Sequence, residues 1–514
     1  MTVLCSIAAM LLPCWGASAL IAAGMRHVPR NWATCLLRFC LSVGVGAGLS
    51  SCTYFLWLVA FGRPQGAYLA VETLFWCLVV FVCRANLQSA TNAAVASNNR
   101  SSLCESQDRV LNRTIAGLFA TILAIALAGL AGQALAHPEG GWDAWAIWNL
   151  RARFLFHLGD DWRQALDSAF EHPDYPLLVS GSLARWWTFV GHDADWVGPF
   201  FGVAFTLATV GAVVAAIGLR RGRNMGLLAG VVLLGTVRLL RWGASQYADI
   251  PLAFYMAATL LLLTMHDEIA RERSPKAGSG LLVLAGVMAG LSAWTKNEGL
   301  LFFIVVICVR ATVVWFQCGL ARSVRESAKV LAAAAPVLFV VLLFKSQVPA
   351  ANDLAAAQGF AETTGRLLDP ARHVAILKAF AGVGIQVAHV LAAVVLIGVL
   401  LLGKRRSMAN GNRDILLASG IIGMMLAGYY VAYLATPYEL DWHLATSLDR
   451  LFVQLVPMAA YAAFLQWRTP DEILAPISAI RAFPIRQQES LPAPQRLEPE
   501  ESEAFNLAQF LAEM

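Results

Sequence analysis

Gly140-Gly141-Trp142-Asp143-Ala144-Trp145-Ala146-Ile147-Trp148-Asn149-Leu150-Arg151 interrupts a chain that is otherwise mostly apolar. The longer segment around it, His137–Asp195, is too polar to cross a bilayer and too aromatic for a plain linker. It holds acids, histidines and arginines together. Backbone in hydrocarbon must satisfy its own hydrogen bonds, so the apolar remainder reads as helix. The polar segment then lies outside the membrane, as a face onto which later loops fold back.

Composition points the same way. Of 514 residues, 58% are hydrophobic and 14% charged, against about 25% charged in soluble domains. Mean hydropathy is +0.62. The chain reads as an all-α polytopic membrane protein. A membrane β-barrel would need two-residue alternation, which the continuous apolar runs exclude. Stretches near spanning length, about 20 residues, recur roughly thirteen times: 2–23, 35–60, 66–88, 112–135, 196–219, 225–242, 251–266, 279–296, 299–316, 329–347, 379–402, 414–434 and 450–467.

The loops between these stretches alternate in charge. One set carries Arg26 and Arg30, Arg84 to Arg109, Arg220 to Arg223, Arg271 to Lys276, Arg322 to Lys329, and Lys404 to Arg413. The positive-inside rule places it in the cytoplasm. The other set, His137–Asp195, Gly243–Ile250, Thr295–Gly299, Pro349–Lys378 and Thr436–Asp449, then shares the outer face, and every unusual polar motif falls in it. Arg26 and Arg30 follow the first apolar run, whereas a cleaved signal carries its charge ahead of that run. A retained helix with an outer N-terminus is expected. The net charge of +5 includes no long basic run, which speaks against nucleic-acid binding. Cys35 and Cys40 fall about 140° apart on a helix, so the cysteines read as packing residues and no metal site is assigned to them.

Three N-terminal helices (1–88) precede an Asn/Ser/Ala-rich cytoplasmic linker (89–110). The main body follows at 111–467, with the outer loop at 137–195. A Pro- and Glu-rich cytoplasmic tail runs over 468–514.

The polar motifs can be weighed one by one. Trp142, Trp145 and Trp148 are spaced to put indoles along one side of a helix, either as an interfacial anchor or as a surface for sugar rings and isoprenoid chains. Asp143 lies just beyond a span among large apolar groups, a setting that suits a proton acceptor; a helix N-cap is the alternative. Arg151 could hold a phosphate or snorkel to headgroups. His172-Pro173-Asp174-Tyr175-Pro176-Leu177 is a turn fixed by two prolines, able to present His172, Asp174 and Tyr175 to a ligand. Gln246-Tyr247-Ala248-Asp249-Ile250-Pro251-Leu252 opens a helix with Asp249 where the dipole favours an acid. Thr295-Lys296-Asn297-Glu298-Gly299 places Lys296 and Glu298 at the membrane edge, where charge is costly unless used or paired. In Pro437–Arg450, His443 and Arg450 stand at the start of the last span, and Arg450 suits an anionic phosphate or an ion pair with Asp449 or Glu439.

The order is distinctive: an acid after a span, an amphipathic helix, a Pro-x-x-Pro-Leu turn, an Asp-x-Pro-Leu helix start and a Thr-Lys-x-x-Gly-Leu hairpin. Over Arg109–Arg450 it resembles the GT-C superfamily of integral-membrane glycosyltransferases, nearest to the bacterial aminoarabinose transferase of lipid A and the protein O-mannosyltransferases. The resemblance implies transfer of a sugar from a polyprenyl-phosphate carrier to a lipid, glycan or protein acceptor. The site would lie on the outer, periplasmic face of a bacterial inner membrane. Carried over, Asp143 is the acid that activates the acceptor and Asp249 the second acid. Trp142, Trp145, Arg151, His172, Asp174, Tyr175, Tyr247, Lys296, Glu298, His443 and Arg450 line the substrate pocket. In the aminoarabinose branch a Lys stands before the two prolines, where this chain reads Glu171-His172. That departure leaves the phosphate to Arg151, Lys296 or Arg450. Direct attack would invert the anomeric centre. No cofactor is assigned, although two acids could hold a divalent cation. A polymerase or ligase of lipid-linked glycans shares the donor class. A lipid or sugar transporter would need inverted repeats and midplane charge, and the sequence offers neither.

Overall fold

The computed structural model describes residues 2–64, 66–91, 109–348, 360–403, 411–470 and 472–473. The expected linker beyond Thr91, the tail beyond 473 and residues 349–359 of the expected Pro349–Lys378 loop lie outside the described residues. Four helices open the chain: α1 (Thr2–Gly24), α2 (Trp32–Phe61), α3 (Gly66–Thr91) and α4 (Arg109–Ala136). A π-helical turn (Ala144–Trp148), α5 (Asn149–His157), a 3₁₀ segment (Gly159–Leu166) and α6 (Leu178–Val190) form the polar segment. The body continues through α7 (Val197–Arg221), α8 (Arg223–Gly235), α9 (Val237–Ala244), α10 (Asp249–Glu272), α11 (Ser279–Thr295), α12 (Asn297–Cys318) and α13 (Leu320–Gln347). It closes with α14 (Phe360–Leu368), α15 (Pro370–Leu401), α16 (Gly411–Ala435) and α17 (Leu440–Gln466).

Among the described residues, nine of these helices are long and apolar enough to cross a membrane. Two bent pairs, α8 with α9 (65°) and the two parts of α15 (72°), and two shorter apolar helices, within α1 and at α11, fall on the remaining expected stretches. The protein is all-α and polytopic.

α10 is the central pillar. It is apolar on all sides, as a fully enclosed helix must be, and its whole apolar window is buried against α7, α11 and α17. Pro251 sits in its first turn, where a missing N–H costs nothing. Asp249 stands at one end of this pillar and His266-Asp267 near the other, about 26 Å apart at 1.5 Å per residue.

The first three helices belong to the same body. α2 packs on α6 and α7. Glu72 of α3 is fully buried and pairs with Arg185 of α6 at 2.8 Å. Ser50 (2.7 Å) and Trp76 (3.2 Å) also donate to Glu72, and Arg185 reaches the carbonyl of Ala9 at 2.8 Å. An intramembrane charge survives only with such partners.

The two ends of the bundle differ. At the end bearing the basic loops, Arg310 holds Asp267 through both oxygens (2.8 and 2.7 Å) and Glu326 at 2.7 Å. Arg413 and Arg322 add further pairs to the same two acids. Arg220 joins Glu268 and Asp414 there. His266, Asp267 and Glu326 lie close enough to share a metal ion, but both carboxylates are already neutralised by arginines. Among the described residues, the polar motifs of the second loop set gather at the opposite end.

Candidate active site

The polar segment folds differently from a regular amphipathic helix. The N–H of Asn149 bonds to the carbonyl of Ala144, a five-residue step that makes the turn π-helical. π turns of this kind recur at functional sites. The wider turn shifts the helical phase, so the three indoles do not share a side. Trp142 and Trp145 form an exposed edge-to-face pair at 6.2 Å, whereas Trp148 points inward and stacks on Tyr175 at 5.6 Å.

The turn is pinned to the loop before α10. Gly140 adopts φ +77°, and a Cβ there would meet the Ser245 carbonyl at 2.7 Å. Gly141 N donates to that carbonyl at 3.0 Å. Asn149 donates to Gln246 at 3.0 Å, and Gln246 returns a bond to the carbonyl of Pro138 at 2.8 Å. The backbone of Asp143 thereby comes within 3.4 Å of the Tyr247 hydroxyl.

Onto this base α17 brings Arg450, whose guanidinium closes an ion pair with Asp143 and lies 5.2 Å over the Tyr247 ring. One helical turn on, Gln454 donates to Asp249 Oδ1 at 2.6 Å. Tyr429 donates to Gln454 Oε1 at 2.7 Å, which fixes the orientation of the amide. Lys296 donates to the same Asp249 oxygen at 3.1 Å and pairs with Glu298 at 2.9 Å. Among the described residues, the other Asp249 oxygen is buried with no hydrogen-bond partner, as is Oε2 of Glu298.

The Thr295–Gly299 hairpin holds Lys296 in extended backbone between two helices. A Cβ on Gly299 would fall 1.7 Å from the Ser292 carbonyl, so the Lys-x-x-Gly spacing is a packing requirement. Burial pulls the Lys296 ammonium toward neutrality, but Asp249 and Glu298 outweigh it and hold its pKa above the ordinary lysine value. Burial, reinforced by the Asp143 charge, raises the Tyr247 hydroxyl, so it stays protonated.

The His172–Pro176 turn supplies a neighbouring wall. Arg151, expected as a phosphate ligand, is buried and donates to the carbonyls of Tyr175 (3.0 Å), His172 (2.7 Å) and Glu171 (3.2 Å). Burial lowers its pKa to about 10, so it remains a cation. It clamps the turn from beneath. Asp174 accepts from Asn297 at 2.8 Å, and Lys345 donates to the Asp174 carbonyl at 2.5 Å and to Asn297 at 2.8 Å. His172 stacks on Tyr175 at 4.6 Å, and Lys296 lies 5.6 Å from the Tyr175 ring. His443 packs on Tyr433 at 4.8 Å with a buried, unpartnered Nδ1. The alternative partners for Arg450, Asp449 and Glu439, are engaged elsewhere. Asp449 pairs with Arg238 at 3.6 Å, and Glu439 caps α17. Arg366 and Arg372 donate to the Tyr433–Thr436 turn, which brings the described part of the segment before Lys378 to the same end.

Four site residues escaped the sequence reading. Gln454 and Tyr429 are polar positions inside apolar spans. Asn297 sits within a motif that had been noticed. Lys345 carried a legible signal, a cation at the motif end of a span, against the charge bias of that side.

The arrangement is thus a buried cluster of carboxylates and cations beneath exposed indoles. Lys296, Lys345 and Arg450 each already hold a carboxylate. The model of the dolichyl-phosphate-mannose-protein mannosyltransferase family matches residues 188–344. The match takes in Asp249, Lys296 and Glu298, and leaves Asp143, His443 and Arg450 outside it. No curated protein and no solved structure matches the chain. That family belongs to the GT-C glycosyltransferases, so the match agrees with the resemblance carried by the motifs.

Proposed function

We propose that the chain is a membrane glycosyltransferase that moves a sugar from a polyprenyl-phosphate donor to an acceptor at the motif-bearing end of the bundle. The observation that carries this reading is the pairing of Asp143 with Arg450 next to the pairing of Asp249 with Lys296. Two acids for proton transfer thus stand beside two cations for a phosphate. The family match over 188–344 supports the donor class.

In this mechanism the donor phosphate takes over Arg450 and Lys296 through charge-assisted bonds. Asp143, released from Arg450, accepts the proton of the acceptor hydroxyl or amine. The acceptor atom forms its bond to the anomeric carbon as the bond from that carbon to the phosphate oxygen breaks. The electron pair leaves on the polyprenyl phosphate, whose charge the two cations stabilise. One displacement inverts the anomeric centre. Asp249, held at one oxygen by Gln454 and Lys296, offers its free oxygen to the sugar or acceptor. Alternating loop charge supports an outer, periplasmic placement of this end.

The test is sugar transfer from a polyprenyl-phosphate donor by purified protein in liposomes. Asp143→Asn should fold, bind donor and lose about 100- to 10,000-fold in rate. Near-normal turnover would reduce Asp143 to a structural partner of Arg450. Uptake of the donor without cleavage would favour a transporter.

A further inference from the structure

Far from the polar cluster, a cleft of about 810 Å³ opens between α2, α4, α7 and α8. Ligand pockets run to about 300–1,000 Å³; this cleft lies toward the upper end of that range, with room for much of a lipid's acyl region. Its walls are apolar side chains, among them Phe39 and Leu127, both well exposed. Past Met10, Val43, Phe200 and Ala204 it continues into a second apolar recess. α4 packs on α8 and α9, and only 17% of its apolar window is buried by protein. Among the described residues, one flank of α4 is left without a protein neighbour.

The mouth of the cleft identifies the occupant. Arg223 and Trp32 line it, at the bundle end that carries the basic loops. Asn224 donates to Asn112 at 2.6 Å, which brings the starts of α8 and α4 together; Arg223 and Arg113 are the chain neighbours of this bonded pair. Both arginines are exposed, and neither forms an ion pair among the described residues. An apolar channel with an exposed guanidinium and an interfacial indole at its mouth, and a second exposed arginine on the adjoining helix start, matches an anionic amphiphile. We propose that this cleft binds an anionic phospholipid of the leaflet facing the basic loops. Its acyl chains lie along α7 between α2 and α4, and its phosphate sits between Arg113 and Arg223.

The test uses full-length protein purified in mild detergent, with bound lipid extracted and quantified by mass spectrometry. Wild type should retain phosphatidylglycerol in preference to phosphatidylcholine. The double variant Arg113→Gln/Arg223→Gln changes only exposed side chains, and should retain the anionic lipid about 30-fold more weakly. Ala204→Phe, which fills the cleft, should release the lipid with both arginines in place. Phosphatidylglycerol vesicles should raise the melting temperature of wild type more than phosphatidylcholine vesicles do, and this difference should vanish in the double variant. Equal retention of both lipids, or retention unchanged by the double variant, would reduce the cleft to ordinary bilayer contact and overturn the proposal. Recovery of a polyprenyl phosphate instead would also overturn it, making the cleft a carrier site.

Discussion

Arg450 of α17 reaches back 307 residues to hold Asp143 at the π turn. Each partner is mostly shielded from water, with side-chain exposures of 14%. Removing one member of such a pair leaves an uncompensated charge, which is far costlier than the pair itself. The pair is therefore stable until another anion competes for Arg450.

That competition separates the two partners experimentally. Arg450→Ala should weaken donor binding about tenfold or more, by loss of a charge-assisted contact. Asp143→Asn should leave donor affinity unchanged or tighter, because the competing carboxylate is gone. Donor titration of both purified variants is the measurement; weaker donor binding by Asp143→Asn would sink the exchange.

Gln454 is expected to act as a positioning residue for Asp249. Gln454→Met keeps the length and removes one donor from a buried carboxylate. Turnover should fall about 10- to 100-fold, with the donor KM little changed. Tyr429→Phe frees the amide to flip, and should show a smaller loss of the same kind. A rise in KM with turnover intact would instead assign Gln454 to donor binding.

Lys296 bridges two carboxylates in a buried hairpin. Lys296→Met should destabilise the fold by about 3–5 kcal/mol. Because the folded-state pKa of Lys296 is raised, its stabilisation is fully present below the unfolded value, near 10.4. It is lost only as pH climbs through the higher folded value. Unfolding in detergent should therefore show a constant gap between wild type and variant from about pH 7 to 9, narrowing only above about pH 10.4.

Gly299 tests the hairpin by shape alone. Gly299→Ala places a methyl against the Ser292 carbonyl and should cost about 3 kcal/mol or more. The readout is the yield of monodisperse protein; normal yield and activity would show that the helices can part there.

Sidedness can be checked by labelling. Single cysteines replacing the exposed Trp145 and Trp442, in a background free of native cysteines, should react from the same side of the membrane. A cysteine replacing the exposed Arg273 should react from the other side. Labelling of Trp145 and Trp442 positions from opposite sides would break the common face.

The spans were legible because lipid enforces long apolar helices, and the shared face of the five motifs followed from the charge of their loops. Asp143, Asp249, Lys296 and Arg450 were readable singly, since each is a charge at the edge of a span. Their pairing was not: Asp143 with Arg450 and Asp249 with Lys296 are long-range contacts that no local spacing encodes. Arg151 looked like a ligand because a sequence does not show three carbonyls converging on a guanidinium. The inward turn of Trp148 depends on one π step, which carries no composition of its own. The tie of the N-terminal helices to the body was not legible, because it rests on Glu72 and Arg185, two charges inside segments otherwise judged by hydropathy.

The Glu72–Arg185 pair also bears on how the chain is made. Synthesis runs from the N-terminus, and Arg185 lies 113 residues after Glu72. At about 5–20 residues per second, α3 waits on the order of ten seconds for its counter-charge. In that interval Glu72 must be neutralised by a proton, held by Ser50 and Trp76, or sheltered by the insertion machinery. A ribosome arrested between α3 and α6 should therefore leave α3 extractable by alkaline carbonate. Once α6 has emerged, the same helix should resist extraction, so membrane integration of the first three helices is completed only by the sixth.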